Sequence, residues 1–357
     1  MHAGYACQDE GACCTAGWPI PIERPQADRV HAALAAGRFS APVRWLGVAA
    51  EQPQEVAGVI AVSPDGCVFH HGRRCAIQTT LGHDALPSCC QHFPRDYVID
   101  DRGVFVTLSH YCPTAARLLF AHDGPLAIVE RPLPITGAPQ GLDARGTLPP
   151  LLTADVLMDL PALTAWETHL VSWLGGWRNP GGRFSPERTL ACLEADAQAL
   201  ATWRPGKTSL PNAIATLESR TSGDEPPRWK EEQALRQIAR AALVPSYTWP
   251  DDPPDLERRW APLQASWRAH APAINRFLAA HAFASWLPYQ GGDVVSGIRR
   301  LRLALAVLRA EAVRASLLTG AAVAESALHD AIRQTDLLLL HLVDRPRLAR
   351  LLTARGR

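Results

Sequence analysis

The sequence is almost without lysine: Lys207 and Lys230 are the two among 36 basic residues, and the rest are arginine. That bias fits a GC-rich coding sequence and carries no function. Net charge is missing as well. A formal +1 over 357 residues supplies no general pull toward nucleic acid or anionic lipid, so neither is an expected partner. No stretch reaches the roughly 20 uninterrupted apolar residues of a membrane span. The longest apolar tract, "LRLALAVLRAEAVRASLL", is broken by arginines at helical spacing. The opening "MHAGYACQDE" has no basic segment leading into an apolar run, so no signal peptide is expected and a cytoplasmic location is. Paired CxxC knuckles of a zinc ribbon, the CxxxCxxC of radical enzymes and the glycine-rich strand-to-helix turn of a common methyltransferase sheet are absent too. The glycine pairs in "SWLGGWRNPGG" and "YQGGDV" read as connectors between helices.

What the chain does have is cysteine, unevenly spread. Eight of the nine lie at 7, 13, 14, 67, 75, 89, 90 and 112, and Cys192 stands alone in the remainder. A hydrophobic fraction of 47% with 20% charge describes a folded chain long enough for two domains. The expected fold is α+β and mainly α overall: a loop-rich cysteine-cluster domain organised by metal over residues 1–145, then an all-α domain over 146–357. In the first, "VRWLGVAA" and "VAGVIAVSPDGCVFH" read as strands meeting turns, and "YVIDDRGVFVTLS" as a hairpin turning at Asp100 and Asp101. "QADRVHAALAAGR" reads as a helix ending near Gly37. The stretch "RPLPITGAPQGLDARGTLPP" is the expected linker. Beyond it, segments 153–174, 186–203, 229–243, 259–287, 295–320 and 321–343 carry apolar residues three and four apart and are expected as helices. "WETHLVSWLGGW" and "SWLPY" hold tryptophans of core type that would also suit a peptide groove. The tail "RPRLARLLTARGR" reads as a solvated, basic amphipathic end.

Free cysteine often packs as a small hydrophobe, which suits Cys192 on the apolar face of "TLACLEADA". The other eight neighbour glycines, charges and prolines in segments too polar for a core. In a reducing compartment such a set points to metal rather than to disulfides. Cys13–Cys14 and Cys89–Cys90 are adjacent pairs, and on extended backbone the members of each would face opposite ways. "CVFHHGRRC" is a turn able to bring Cys67 and Cys75 to one centre. Cys112 precedes Pro113 and an apolar helix, a position expected to favour its thiolate. His70, His71, His92 and His110 sit near these thiols and read as solvated or hydrogen-bonded rather than ligating. Arg95 suits either a carboxylate or phosphate ligand or a structural ion pair. Zinc and an all-thiolate iron–sulfur site both stay open on these residues.

Together "CQDEGACCTAGWPIPI", "CVFHHGRRCAIQTTLGHDALPSCCQHFPR" and "LSHYCPTAARLLF" resemble the YkgJ-like CxxCxxCC family of zinc- or iron-chelating cysteine-cluster proteins. Within it, the flagellin lysine-N-methylase branch is the most similar. The likeness covers about residues 5 to 120, and more weakly "NRFLAAHAFASWLP". It implies metal ligation by Cys7, Cys13, Cys14, Cys67, Cys75, Cys90 and Cys112, with Cys89 an extra. Glu10 stands where the general pattern has a cysteine, so it is either a carboxylate ligand or one ligand fewer. The resemblance further implies an iron–sulfur cluster, of the 4Fe-4S type, with S-adenosylmethionine as methyl donor and a protein lysine, such as one in flagellin, as substrate. The alternative is an iron- or zinc-binding protein of the same cysteine type, without methyl transfer, acting in another modification or in partner recognition. The residues nominate no catalytic base and no donor site.

Overall fold

The structure, a computed structural model, describes residues 2–47, 54–72, 74–122, 124–132, 139–176, 178, 184–206, 208–217, 226–319 and 323–354. The front third is built from short pieces. A single-turn helix α1 (Ala12–Thr15) leads through Trp18 into β1 (Ile20–Glu23) and the longer α2 (Arg24–Ala35). Alternation in β1 points Ile20 and Ile22 inward, and α2 lays Ala27, Val30 and Ala33 over them. β2 (Leu46–Gly47) and β3 (Val56–Ile60) complete a three-stranded antiparallel sheet in the order β1-β3-β2. Residues 48–50 of the expected "VRWLGVAA" strand lie outside the described residues.

Two small hairpins follow: β4 (Val62–Ser63) with β5 (Gly66–Cys67), and β6 (His70–His71) with β7 (Arg74–Cys75). Gly66 lies at φ 110°, and a Cβ there would stand 2.3 Å from the Cys14 carbonyl oxygen. Glycine therefore lets the first hairpin lie directly against α1. Two short helices, α3 (Ala76–Leu81) and α4 (Ser88–His92), close the segment.

The expected hairpin is present as β8 (Arg95–Asp100) and β9 (Gly103–Leu108), with Tyr97 opposite Val106. α5 (Pro113–Ala121) comes next, with Cys112 as its N-cap residue and Pro113 in its first turn. The stretch expected as a linker is only partly one. Residues 133–138 lie outside the described residues, but β10 (Leu142–Asp143) adds in parallel to β8. Gly141 makes this possible: a Cβ there would lie 2.3 Å from the Tyr97 carbonyl oxygen.

The rest is helical, which makes the chain mainly α. The first expected helix starts late, because residues 151–157 form a small hairpin of β11 (Leu151–Thr153) and β12 (Val156–Leu157). α6 (Leu160–Leu174) begins after it, where the Asp159 side chain accepts from the Ala162 amide at 2.7 Å. α7 (Pro186–Ala201), α8 (Leu210–Ala215) and α9 (Trp229–Ala241) follow. The expected helix over 259–287 is cut into α10 (Leu256–Trp260), α11 (Gln264–Ala269) and α12 (Ala271–Ala282). Pro262 and Pro272 are the reason, since neither donates a backbone hydrogen bond. The central α13 (Val294–Thr319) is joined by α14 (Glu325–Asp336), which runs into a π-helical turn over Leu337–Leu342. α15 (Arg345–Thr353) ends the described chain. Among the described residues no helix is long and apolar enough to cross a membrane.

Apolar packing divides the molecule before residue 145. One small core holds Ile20, Ile22, Val30, Trp45, Ile60, Phe69 and Ile77. The large helical core takes in Val98, Ala116 and Leu119 from β8 and α5, so these elements belong by packing with the segment after 146. At its centre Arg309, fully buried on α13, is bound by Glu187 and Glu232 and lies near the rings of Trp229, Trp260 and Trp267.

Candidate functional site

A cavity of about 180 Å³ opens where the short pieces of the front third meet β8 and α5, and its walls include Cys7, Cys13, Cys14, Cys67, Cys75, Cys90 and Cys112. Four separate chain segments bring these seven side chains together. α1 and the stretch just before it carry Cys7, Cys13 and Cys14, the hairpins carry Cys67 and Cys75, α4 carries Cys90, and Cys112 caps α5. None of the nine cysteines, all within the described residues, forms a disulfide.

The adjacent pairs are helical rather than extended, which changes where they point. In a helix neighbours are about 100° apart, so Cys13 and Cys14 both reach the cavity, with their sulfurs 3.9 Å apart. Cys89 is not among the cavity walls; it shares a hydrogen bond with Cys90, and its sulfur lies 3.7 Å from the Pro21 carbonyl oxygen. Cys192 is buried on α7 in the helical core.

The sulfurs do not share one acidity. A hydrogen bond from Cys14 lowers the pKa of Cys13, with backbone amides adding to it, while that same bond and then burial raise Cys14. The pair therefore favours one thiolate and one thiol. Burial pushes Cys67 up to about 11 and raises Cys75. Cys90 is raised first by its hydrogen bond with Cys89 and then by burial. Cys112 departs from expectation. Its pKa is raised, because burial outweighs the lowering by the Ala115 amide and by Tyr5.

Of the other walls, Arg95 and Glu10 were singled out in the sequence, whereas Tyr5, Gln78, His83 and Gln91 were not. The Tyr5 hydroxyl lies 3.6 Å from the Cys112 sulfur, and Arg95 lies over the Tyr5 ring at 5.4 Å. Arg95 lines the cavity and forms no salt bridge among the described residues. Gln78, His83 and Gln91 also line it. Glu10 reaches the wall too, but its carboxylate is taken up by Arg117 and by Thr114 Oγ1, the latter at 3.3 Å. The four histidines singled out near the thiols are not among the cavity walls. His92 is buried against the Tyr97 hydroxyl at 3.4 Å, and His110 against Asp336 at 3.1 Å. His70 Nε2 is buried with no hydrogen-bond partner, pressed against Gly11, and His71 is exposed.

Seven thiols make up a soft donor set. Sulfurs bound to one tetrahedral ion at about 2.3 Å stand roughly 3.8 Å apart. Cys13 and Cys14 are at that separation. Yet no group of three or more Cys, His, Asp or Glu among the described residues is arranged to hold an ion. No family model, curated protein or solved structure matches this chain. The likeness to cysteine-cluster proteins thus rests on the quoted motifs alone.

Behind the cavity lies a buried polar chain. Asp336 accepts from the His110 amide and ring on one oxygen and meets His281 Nε2 at 2.7 Å on the other. Burial works against its charge, but His281 and His110 outweigh this and hold the carboxyl well below the usual range. His2 Nε2 adds to His110 at 3.2 Å. His341, in the π-helical turn, meets Ser109 Oγ at 2.7 Å and packs on Trp18 with ring centres 4.7 Å apart. These contacts fasten the front third to the helices.

Proposed function

We propose that the cysteine cavity holds an iron–sulfur cluster and that the protein is a lysine N-methyltransferase acting on a protein substrate with S-adenosylmethionine as donor. The observation that carries the metal reading is the meeting of seven cysteines, from four separate segments, around one cavity. A cluster is preferred here to a lone zinc or iron ion because it offers several metal atoms to thiolates on different walls of one cavity. Cys7, Cys13, Cys14, Cys67, Cys75, Cys90 and Cys112 are the candidate ligands. Glu10 is engaged by Arg117, and Cys89 is not among the cavity walls.

The methyl-transfer step rests on the resemblance, supported by Arg95 in the cavity wall. Arg95 has no carboxylate partner there and would suit the donor's carboxylate. A lysine amine with an ordinary pKa of about 10.4 must be neutral to attack a methyl group. Desolvation in a part-apolar cavity walled by Ile20, Ile60, Ile77 and Leu86 favours that neutral form. A second reading, an iron or zinc protein without methyl transfer, is favoured by the sheets. Among the described residues none has more than three strands, so no broad donor-binding sheet accompanies the cavity.

One experiment separates the two. Anaerobically prepared protein is assayed for iron, sulfide and zinc, then titrated with S-adenosylmethionine while its visible absorption is followed. Iron and sulfide together with a spectrum that changes on titration support the methyltransferase. Iron or zinc with no response to the donor leaves the second reading, and no bound metal sinks both.

A further inference from the structure

The Tyr5 hydroxyl, in the wall of the cysteine cavity, lies 3.6 Å from the Cys112 sulfur, a hydrogen bond that joins residues 107 positions apart. Cys7, another wall residue, also reaches this hydroxyl. The ring is held on several sides. The Tyr5 amide donates to the His2 carbonyl oxygen at 3.0 Å, Arg95 lies over the ring at 5.4 Å, and the ring packs on the small apolar group of Leu108, Cys112 and Ala115. Cys112 itself is 6% exposed. Its sulfur also accepts from the amides of Thr114 and Ala115 in the first turn of α5. Tyr5 thus brings a side-chain hydroxyl to a sulfur that backbone amides already meet.

Either group can donate while Cys112 is a thiol. Metal ligation settles the direction. A ligating cysteine is a thiolate with no proton to give, whereas a phenol with an ordinary pKa of about 10 keeps its own near neutral pH. The hydroxyl is then the donor and the sulfur the acceptor. Such a bond draws electron density from the sulfur and favours the more negatively charged oxidation state of the centre it ligates.

We infer that Tyr5 is a positioning residue for the cluster: its hydroxyl donates to the Cys112 thiolate, orients that ligand and makes the centre easier to reduce. The inference rests on the cysteine cavity holding an iron–sulfur cluster, and it deepens that reading by giving a role to a residue that binds no metal. Packing against Leu108 and Ala115 needs only the ring, so phenylalanine at this position separates the two roles.

The test compares anaerobically prepared full chain with its Tyr5→Phe variant. Iron and sulfide per chain are measured first, and the midpoint potential is then read in a dithionite titration followed by visible absorption, each reduction taking one electron from the added dithionite. Tyr5→Phe should keep its iron, and its midpoint should move to a more negative potential by about tenfold in the reduction equilibrium, ~59 mV for one electron. Tyr97→Phe removes a hydroxyl that meets His92 outside the cavity walls and should leave the midpoint in place. Replacing Tyr5 by 3-fluorotyrosine keeps the ring and strengthens the donor, so it should move the midpoint the other way. Should Tyr5→Phe not retain the cluster, this last variant still decides. An unmoved midpoint in Tyr5→Phe at full iron, an equal shift in Tyr97→Phe, or no opposite shift with 3-fluorotyrosine would each overturn the inference and leave the cluster reading standing. Absence of iron and sulfide from the unaltered chain would sink both.

Discussion

The front third and the helical remainder are held together by different means. In the front, twelve buried apolar residues form the core, in elements that are mostly two to six residues long. Behind it, more than fifty buried apolar residues among the described ones pack around α13. At roughly 25 cal/mol per Å² of apolar surface, a core of the first kind offsets little of the entropy of ordering its loops. Small units of this kind commonly rely on a metal centre. The seven cysteines are where such a staple would act, and the contrast says where to look for its effects.

If the proposed metal centre is present, the largest expected effect is that of removing it. Chelation under anaerobic, reducing conditions should make residues before about 92 sensitive to protease while far-ultraviolet circular dichroism keeps most of its helical signal. Equal resistance of both regions after chelation would erase the contrast. Next comes Arg309→Leu, which leaves Glu187 and Glu232 buried without their cation. It should cost about 3–5 kcal/mol in urea unfolding followed by tryptophan fluorescence. This loss should fall on the helical region and leave the metal content per folded molecule unchanged.

A third effect is on pH dependence, and its sign follows from buried histidines. Burial pushes His341 down to about 4 and lowers His281 and His2. The unfolded chain therefore takes up protons below about 6.5 that the folded chain refuses, and stability falls as pH drops from there toward 4. Asp336, held low by its histidines, contributes stability that is present above about pH 4 and is lost as pH falls further. Thermal unfolding between pH 7 and 4 should show a midpoint that drops with pH. His341→Phe should flatten part of the slope, and an unchanged slope would remove His341 from this account. The smallest effect separates two neighbours. Cys90→Ser should lower bound iron, whereas Cys89→Ser should leave it within experimental scatter, because Cys89 is not among the cavity walls.

Much of this contrast was legible in the residues, and the misses have identifiable causes. The hairpin around Asp100 and most of the helices follow from alternation and from 3.6-residue spacing. Helical periodicity misled where a proline or a cap intervened: Pro262 and Pro272 divide one long apolar segment, and Asp159 delays α6. The cysteine pattern nominated all eight thiols of the front third, and the resemblance to cysteine-cluster proteins picked out the seven that line the cavity. It did not show that Cys13 and Cys14 lie on a helix, because four residues are too few to display a period. Nor did it show that burial would outweigh the helix terminus at Cys112, a balance set by distant segments. Tyr5 and His83 gave no local signal, since what singles them out is the company they keep in space.

Asp336 sits where these two regions join. One carboxylate grips His110, two residues before Cys112, and His281 beside Arg300. Through this single side chain the end of α14 anchors both the turn that leads to Cys112 and the helix α12.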